Sequence, residues 1–292
     1  TASEDNTTVT ATPSASGGVI LAGAGIAANG TGTVVLNSGD VLQVFSGTAG
    51  GGPDGADVTG TLITADKRLQ VIGGHTCTDI PYNVTWCDHL EESMPPLETV
   101  GTEYFVAAPL INASTTKQRQ VRVLATEANT TLTYDPPQGA PTQLNNPGDY
   151  IDFNSTADFK IIGSQPILVA EYMVGQAAGG GTGDPAFTMS VAAAQYRDNY
   201  LFHAPLSYEA NYVNITAPTG TPVTLDGNAV GGWITVGGSG FDLARVQLTA
   251  GPANNGNHQI SAPLPFGINV YGYGQYTSYW YPGGLDLTPL GL

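Results

Sequence analysis

With 292 residues, 39 Gly and 20 Pro but only 8 Lys and Arg, the chain carries a formal charge of −16. That charge repels phosphate backbones and anionic headgroups, which excludes nucleic-acid binding and electrostatic docking on a membrane. No apolar run approaches the roughly 20 residues that a membrane-spanning helix needs, so no membrane insertion is expected.

Short alternating runs broken by Gly-, Asn- and Asp-rich turns predict an all-β fold of tandem antiparallel sandwich-like units. In the N-terminal part, strands are expected at Val9–Pro13, Gly18–Leu21, Leu36–Phe45 (which mirrors Leu144–Phe153) and Arg68–Gly73. Gly23, Gly25 and Ala28 match a dinucleotide fingerprint. That motif needs a helix to hold the pyrophosphate, and Asn29-Gly30-Thr31-Gly32 interrupts at once, so the match is set aside. The Gly-rich loops 50–57 and 179–184 carry Asp54, Asp57 and Asp184. Calcium takes oxygen ligands from such loops, but so few carboxylates favour plain turns.

Two His, two Cys and three acids fall within the loop 74–97: His75, Cys77, Cys87, Asp88, His89, Glu91 and Glu92. Zinc held by His75, Cys77, Cys87 and His89 is one reading. A local disulfide between Cys77 and Cys87, implying oxidising surroundings, is the favoured one. His89 with Glu91 or Glu92 can be drawn as an acid–base pair, but no nucleophile can be placed beside it. No catalytic residue is assigned. Short helical patterns occur only at Cys87–Ser93 and Val191–Tyr196.

Beyond this loop the chain repeats itself. Phe105–Leu110, Leu201–Leu206 and Leu285–Leu290 share one pattern; the first two open β-rich units and the third closes the sequence. Val121–Thr126 corresponds to Val213–Pro218, Thr131–Asp135 to Pro222–Asp226, and Pro166–Glu171 to Pro265–Val270. The expected organisation is an N-terminal unit 1–102 lacking its first strand, units 103–199 and 200–284, and a donor-like strand 285–292. Leu285, Leu287 and Leu290 would be its anchors. The aromatic stretch Tyr271–Tyr281 either stacks on sugar rings and anchors a partner, or covers the end of a sandwich; packing is favoured. Asn6, Asn29, Asn83, Asn112, Asn129, Asn154 and Asn214 each open an Asn-X-Ser/Thr sequon, the pattern of an exported glycoprotein.

Gly74-His75-Thr76-Cys77, Cys87-Asp88-His89-Leu90-Glu91-Glu92 with Pro95-Pro96-Leu97, Tyr196–Tyr200, and the ending Tyr271–Gly284 together resemble the N-terminal domain of the IgGFc-binding protein family. The likeness spans roughly residues 60–285. It implies an extracellular β-rich module with no catalytic site, in which Cys77 and Cys87 match the family's disulfide pair. The cysteine-rich von Willebrand-type modules of the animal protein have no counterpart in this sequence. The expectation is therefore a bacterial-type surface protein rather than an antibody or mucin binder.

Two functions follow. In the first, Leu285–Leu290 completes the N-terminal unit of a neighbouring copy, making the chain a subunit of a head-to-tail surface filament. In the second, the chain is a monomeric adhesion module for glycan or protein.

Overall fold

The computed structural model describes residues 1–14, 18, 20–47, 56–112, 114–178 and 182–291. It is all-β, built of several antiparallel sheets. In the N-terminal region, β1 (Thr7–Thr12) pairs with β2 (Gly32–Leu36) on one edge and β3 (Leu62–Ala65) on the other. Alternation turns Thr7 and Val9 inward. The core beneath them is small, with Ala2, Val9 and Leu36 buried, while Val35, Val41, Phe45 and Leu62 remain exposed. The strand expected at 18–21 does not form a ladder: Ile20 makes a lone bridge to Ser46, and Val19 lies outside the described residues. Within 36–45 only Leu36 is in a strand; Leu42 packs against the small N-terminal core and Phe45 O accepts the Leu21 N–H.

The next element is a hairpin of β4 (Ile72–Thr78) and β5 (Asp88–Ser93). The helix pattern at 87–93 is corrected here. Cross-strand pairing of Gly73 with Glu92 and His75 with Leu90 overrides local propensity.

After a 3-10 turn at Leu97–Thr99 come β6 (Glu103–Val106), β7 (Arg119–Ala125), β8 (Thr130–Asp135), β9 (Gln143–Leu144), β10 (Tyr150–Ser155), β11 (Phe159–Gly163), β12 (Ile167–Met173) and β13 (Ala186–Met189). They form two sheets, ordered β10-β7-β12-β13 and β6-β11-β8-β9. Strict alternation along β7 sends Val121, Val123 and Ala125 into a core with Phe159, Ile161, Ile167 and Val169.

A second 3-10 turn, Ala193–Gln195, falls within the expected 191–196 helix. There follow β14 (Arg197–His203), β15 (Ala210–Pro218), β16 (Thr224–Leu225), β17 (Asn228–Ala229), β18 (Ile234–Thr235), β19 (Phe241–Gln247), β20 (Asn257–Gly274) and β21 (Thr277–Pro282). The first part of β20 pairs with β14 and β16, and the later part with β15 and β21. Reading β14 for β6, β15 for β7, β19 for β10 and the two parts of β20 for β11 and β12, the strand neighbours repeat those of the preceding sandwich. Here Val213, Ile215, Ile260, Phe266 and Val270 fill the core.

The two sandwiches meet through two apolar clusters. One joins Leu110, Met173 and Ala186 to Tyr212, Tyr271, Tyr273 and Trp280; the other joins Phe105 and Ala107 to Val236 and Leu243. Residues 285–291 form no strand. They lie along their own chain, with the Asp286 N–H on Gln195 O at 3.1 Å and the Leu290 N–H on Glu98 O at 2.8 Å.

Candidate functional site: a disulfide-stapled aromatic ledge

Cys77 and Cys87 are disulfide-bonded, with Cα atoms 5.1 Å apart across a sequence separation of 10. A bridge closing so short a loop contributes about 3 kcal/mol by removing freedom from the unfolded chain. The zinc reading therefore fails, because neither sulfur is available as a thiolate. His75 Nδ1 instead accepts the Cys77 N–H at 3.1 Å, and the exposed His89 lies 3.4 Å from Glu91 Oε2. Among the described residues no three His, Cys, Asp or Glu side chains are grouped to hold a metal.

The staple shapes residues 79–86, which the hairpin then presses onto the β6–β13 sandwich. Ile80 and Leu90 are buried against Val174, with Tyr172, Ala178 and Phe187 packed around them. The Gly175 N–H donates to Ile80 O at 2.7 Å. A Cβ at Gly175 would sit 2.9 Å from Trp86 O, so only glycine lets the loop approach this closely. Farther along the hairpin, Glu92 accepts the Ser93 N–H at 3.0 Å; burial pushes its carboxyl above the usual range.

Facing this loop is the turn between β20 and β21. Tyr276 occupies its left-handed position, φ 56°, with its N–H on Gln176 Oε1 at 3.2 Å. Trp86 and Tyr276 meet edge to face, ring centroids 5.6 Å apart. Both stay open to solvent, at 54% and 49% exposure, and Tyr82 on the same loop is 63% exposed. The rest of the aromatic stretch divides as its alternation dictates. Tyr271, Tyr273 and Trp280 are buried, and Tyr276 escapes only because it sits at a turn.

A buried polar layer supports the ledge. Asp184 Oδ1 accepts the Gln176 N–H, and the Asp184 N–H donates to Ser278 Oγ at 2.9 Å. Lys117 donates to Thr182 O at 2.8 Å, its ammonium 5.0 Å from the Tyr273 ring centroid. Asp184 thus ties the loop to Gln176 and to Ser278 on β21. Asp57 likewise accepts from Arg122 and Tyr150, while Asp54 lies outside the described residues.

The sequons separate cleanly by exposure. Asn6, Asn29, Asn83, Asn112, Asn129 and Asn154 are exposed. Asn214 is corrected: it is 1% exposed, and its amide donates to Ala107 O and Ala108 O. A glycan there is incompatible with the packed interface. Of the three leucines chosen as anchors, Leu285 and Leu290 are half-buried and Leu287 is 48% exposed.

One pairing had no sequence signal. His258 Nδ1 lies 2.6 Å from Asp226 Oδ2, and its ring stacks on Phe202. Its Nε2 is buried without a hydrogen-bond partner, so no hydroxyl or thiol is held there for attack. The pair clamps the 225–228 turn to β20.

Fold and site together define a disulfide-stapled, all-β module whose most distinctive exposed feature is a fixed aromatic contact surface. The family model described as IgGFc binding protein matches residues 1–272, and the chain belongs to that family. This is a binding-type domain rather than a known enzyme family. No curated protein and no solved structure matches the chain. No helix among the described residues is long and apolar enough to cross a membrane.

Proposed function

We propose that the chain is an extracellular binding module that engages a protein partner through Trp86, Tyr276 and Tyr82. The observation that carries this is the exposed Trp86–Tyr276 pair, held on a disulfide-closed loop rather than on a loose one. Aromatic anchors with little freedom left to lose are the groups that dominate protein interfaces. The family's description names IgG Fc, which makes it the first ligand to test. Immobilised Fc and a panel of glycans would be titrated with the chain by surface plasmon resonance. Trp86→Ala and Tyr276→Ala should each weaken binding at least ~10-fold, about 1.4 kcal/mol, without altering the circular dichroism. Full affinity in the double variant would sink the assignment. Preferential binding to glycan would turn the same ledge into a sugar-stacking surface.

A second reading, a surface filament joined head to tail through Leu285–Leu290, is favoured by one observation. The segment lies against its own chain without joining a sheet and is held largely by main-chain groups, as an exchangeable arm would be. The division into units 1–102, 103–199, 200–284 and 285–292 belongs to this reading; the separate cores under β1, β7 and β15 support it. Electron microscopy of the native chain, and of one truncated before Leu285, tests it. Filaments in both samples, or in neither, would overturn donation by this segment.

A further inference from the structure

We infer that the cleft between the Leu97–Thr99 and Ala193–Gln195 turns is the receptor for the C-terminal arm of a second copy of this chain. The proposal rests on the assembly reading above and names its acceptor site, which is not the N-terminal sheet.

The cleft already holds such an arm, its own. The Asp286 N–H reaches Gln195 O, and the Leu290 N–H reaches Glu98 O. Between them the Gln195 side-chain amide donates both to Thr288 O and to Thr99 O, each at 2.9 Å, so one buried amide clips the arm to the wall of the cleft. Leu290 reaches toward Gly101: a Cβ built there would lie 3.5 Å from Leu290 Cδ1. On the arm's side these contacts use main-chain groups and one leucine, and they do not depend on which copy supplies the arm.

Three features make exchange accessible. The arm joins β21 through Gly283 and Gly284, the latter at φ +143°, a conformation side chains resist. It takes part in no ladder, so its release breaks no sheet. Its hold is also incomplete, since Gln195 Oε1 remains buried without a partner and Leu287 is half exposed at a left-handed φ of 59°. A tethered arm has an effective concentration in the millimolar range. Exchange therefore wins where copies are crowded, and an arm passed from each copy to the next is a heterologous contact that extends as a chain.

The test pairs Glu98→Cys with Leu290→Cys in the full chain, whose native cysteines are both bridged. Copies carrying two different tags are mixed at low and high concentration, oxidised, and resolved on a denaturing non-reducing gel beside light scattering. The expected result is a mixed-tag covalent ladder that lengthens with concentration. Cross-links confined to single chains, while scattering reports multimers, overturn this cleft but leave assembly standing. Single-chain cross-links with monomeric scattering overturn both. Equal dimer yield from either single-cysteine variant would mark random collision and also overturn the assignment. If the first pair does not fold, Gln195→Cys with Thr288→Cys reads the same contact.

Discussion

The Tyr271 hydroxyl donates to Asn214 Oδ1 at 2.9 Å and accepts the Leu110 N–H at 2.8 Å, while Asn214 donates in turn to Ala107 O and Ala108 O. The two side chains stitch the segment leaving β6 to the faces of β15 and β20. They satisfy backbone groups that would otherwise be buried unpaired between the sandwiches. Tyr271→Phe leaves two of these polar groups, the Leu110 N–H and Asn214 Oδ1, short of a partner and should cost about 1–3 kcal/mol. Chemical denaturation should show the loss; an unchanged midpoint would mean that the interface tolerates the gap.

Glycan mapping gives an independent check of the same residue. Peptide mass spectrometry of material from a glycosylating host should find sugar within the set Asn6, Asn29, Asn83, Asn112, Asn129 and Asn154 and none at Asn214. Occupancy at Asn214 in folded protein would contradict the packing described here.

Lys117 predicts an alkaline gain in stability. Burial pushes its pKa down to about 8, partly countered by the Asp184 charge, whereas an unfolded lysine titrates near 10.4. Between these values the unfolded chain binds more protons, so stability rises with pH by up to about 1.4 kcal/mol per unit. Lys117→Met should abolish that slope between pH 8 and 9.5. Above pH 10 the buried phenols act oppositely. Burial lifts Tyr134, Tyr172 and Tyr200 to about 12, so their contribution is full below pH 10 and is lost as the pH climbs through 12. Denaturant midpoints that are flat from pH 8 to 9.5 in the parent chain would refute the lysine argument.

Arg122 ties the N-terminal region to the β6–β13 sandwich. Its guanidinium contacts Asp57 at 2.7 Å and Asp152 at 2.8 Å, and lies 4.2 Å from the Tyr150 ring centroid. Burial opposes the ionised form of Asp57, but the Arg122 charge and bonds from Thr59 outweigh it and hold the carboxyl below its usual range. Arg122→Lys keeps the charge but loses the planar fork. Hydrogen exchange at residues 56–65 should accelerate several-fold in that variant while β14–β21 stay protected. Uniform protection throughout would show that the tether is dispensable.

The strands after residue 103 were legible because Val, Ile and Tyr alternate there at period two, and the matched runs 121–126 and 213–218 fall in β7 and β15. The N-terminal region misled for a physical reason. Leu36–Phe45 resembles Leu144–Phe153, but such likeness does not report whether a partner strand lies alongside, and only Leu36 joins a ladder, at the end of β2. Cys87–Ser93 contains good helix formers, yet its partner strand lies across the disulfide loop. The sequence marked the cysteine loop and the aromatic stretch separately. Their meeting at Trp86 and Tyr276, like that of His258 with Asp226, is a tertiary fact that no local pattern encodes.

β20 serves both layers of the β14–β21 sandwich without a break, whereas the corresponding β11 and β12 are separated by Ser164–Pro166. That three-residue connection gives the β6–β13 sandwich a joint between its layers, and the β14–β21 sandwich has none at the matching place. The strand that leads into the Tyr276 turn is therefore the same one that locks two layers together.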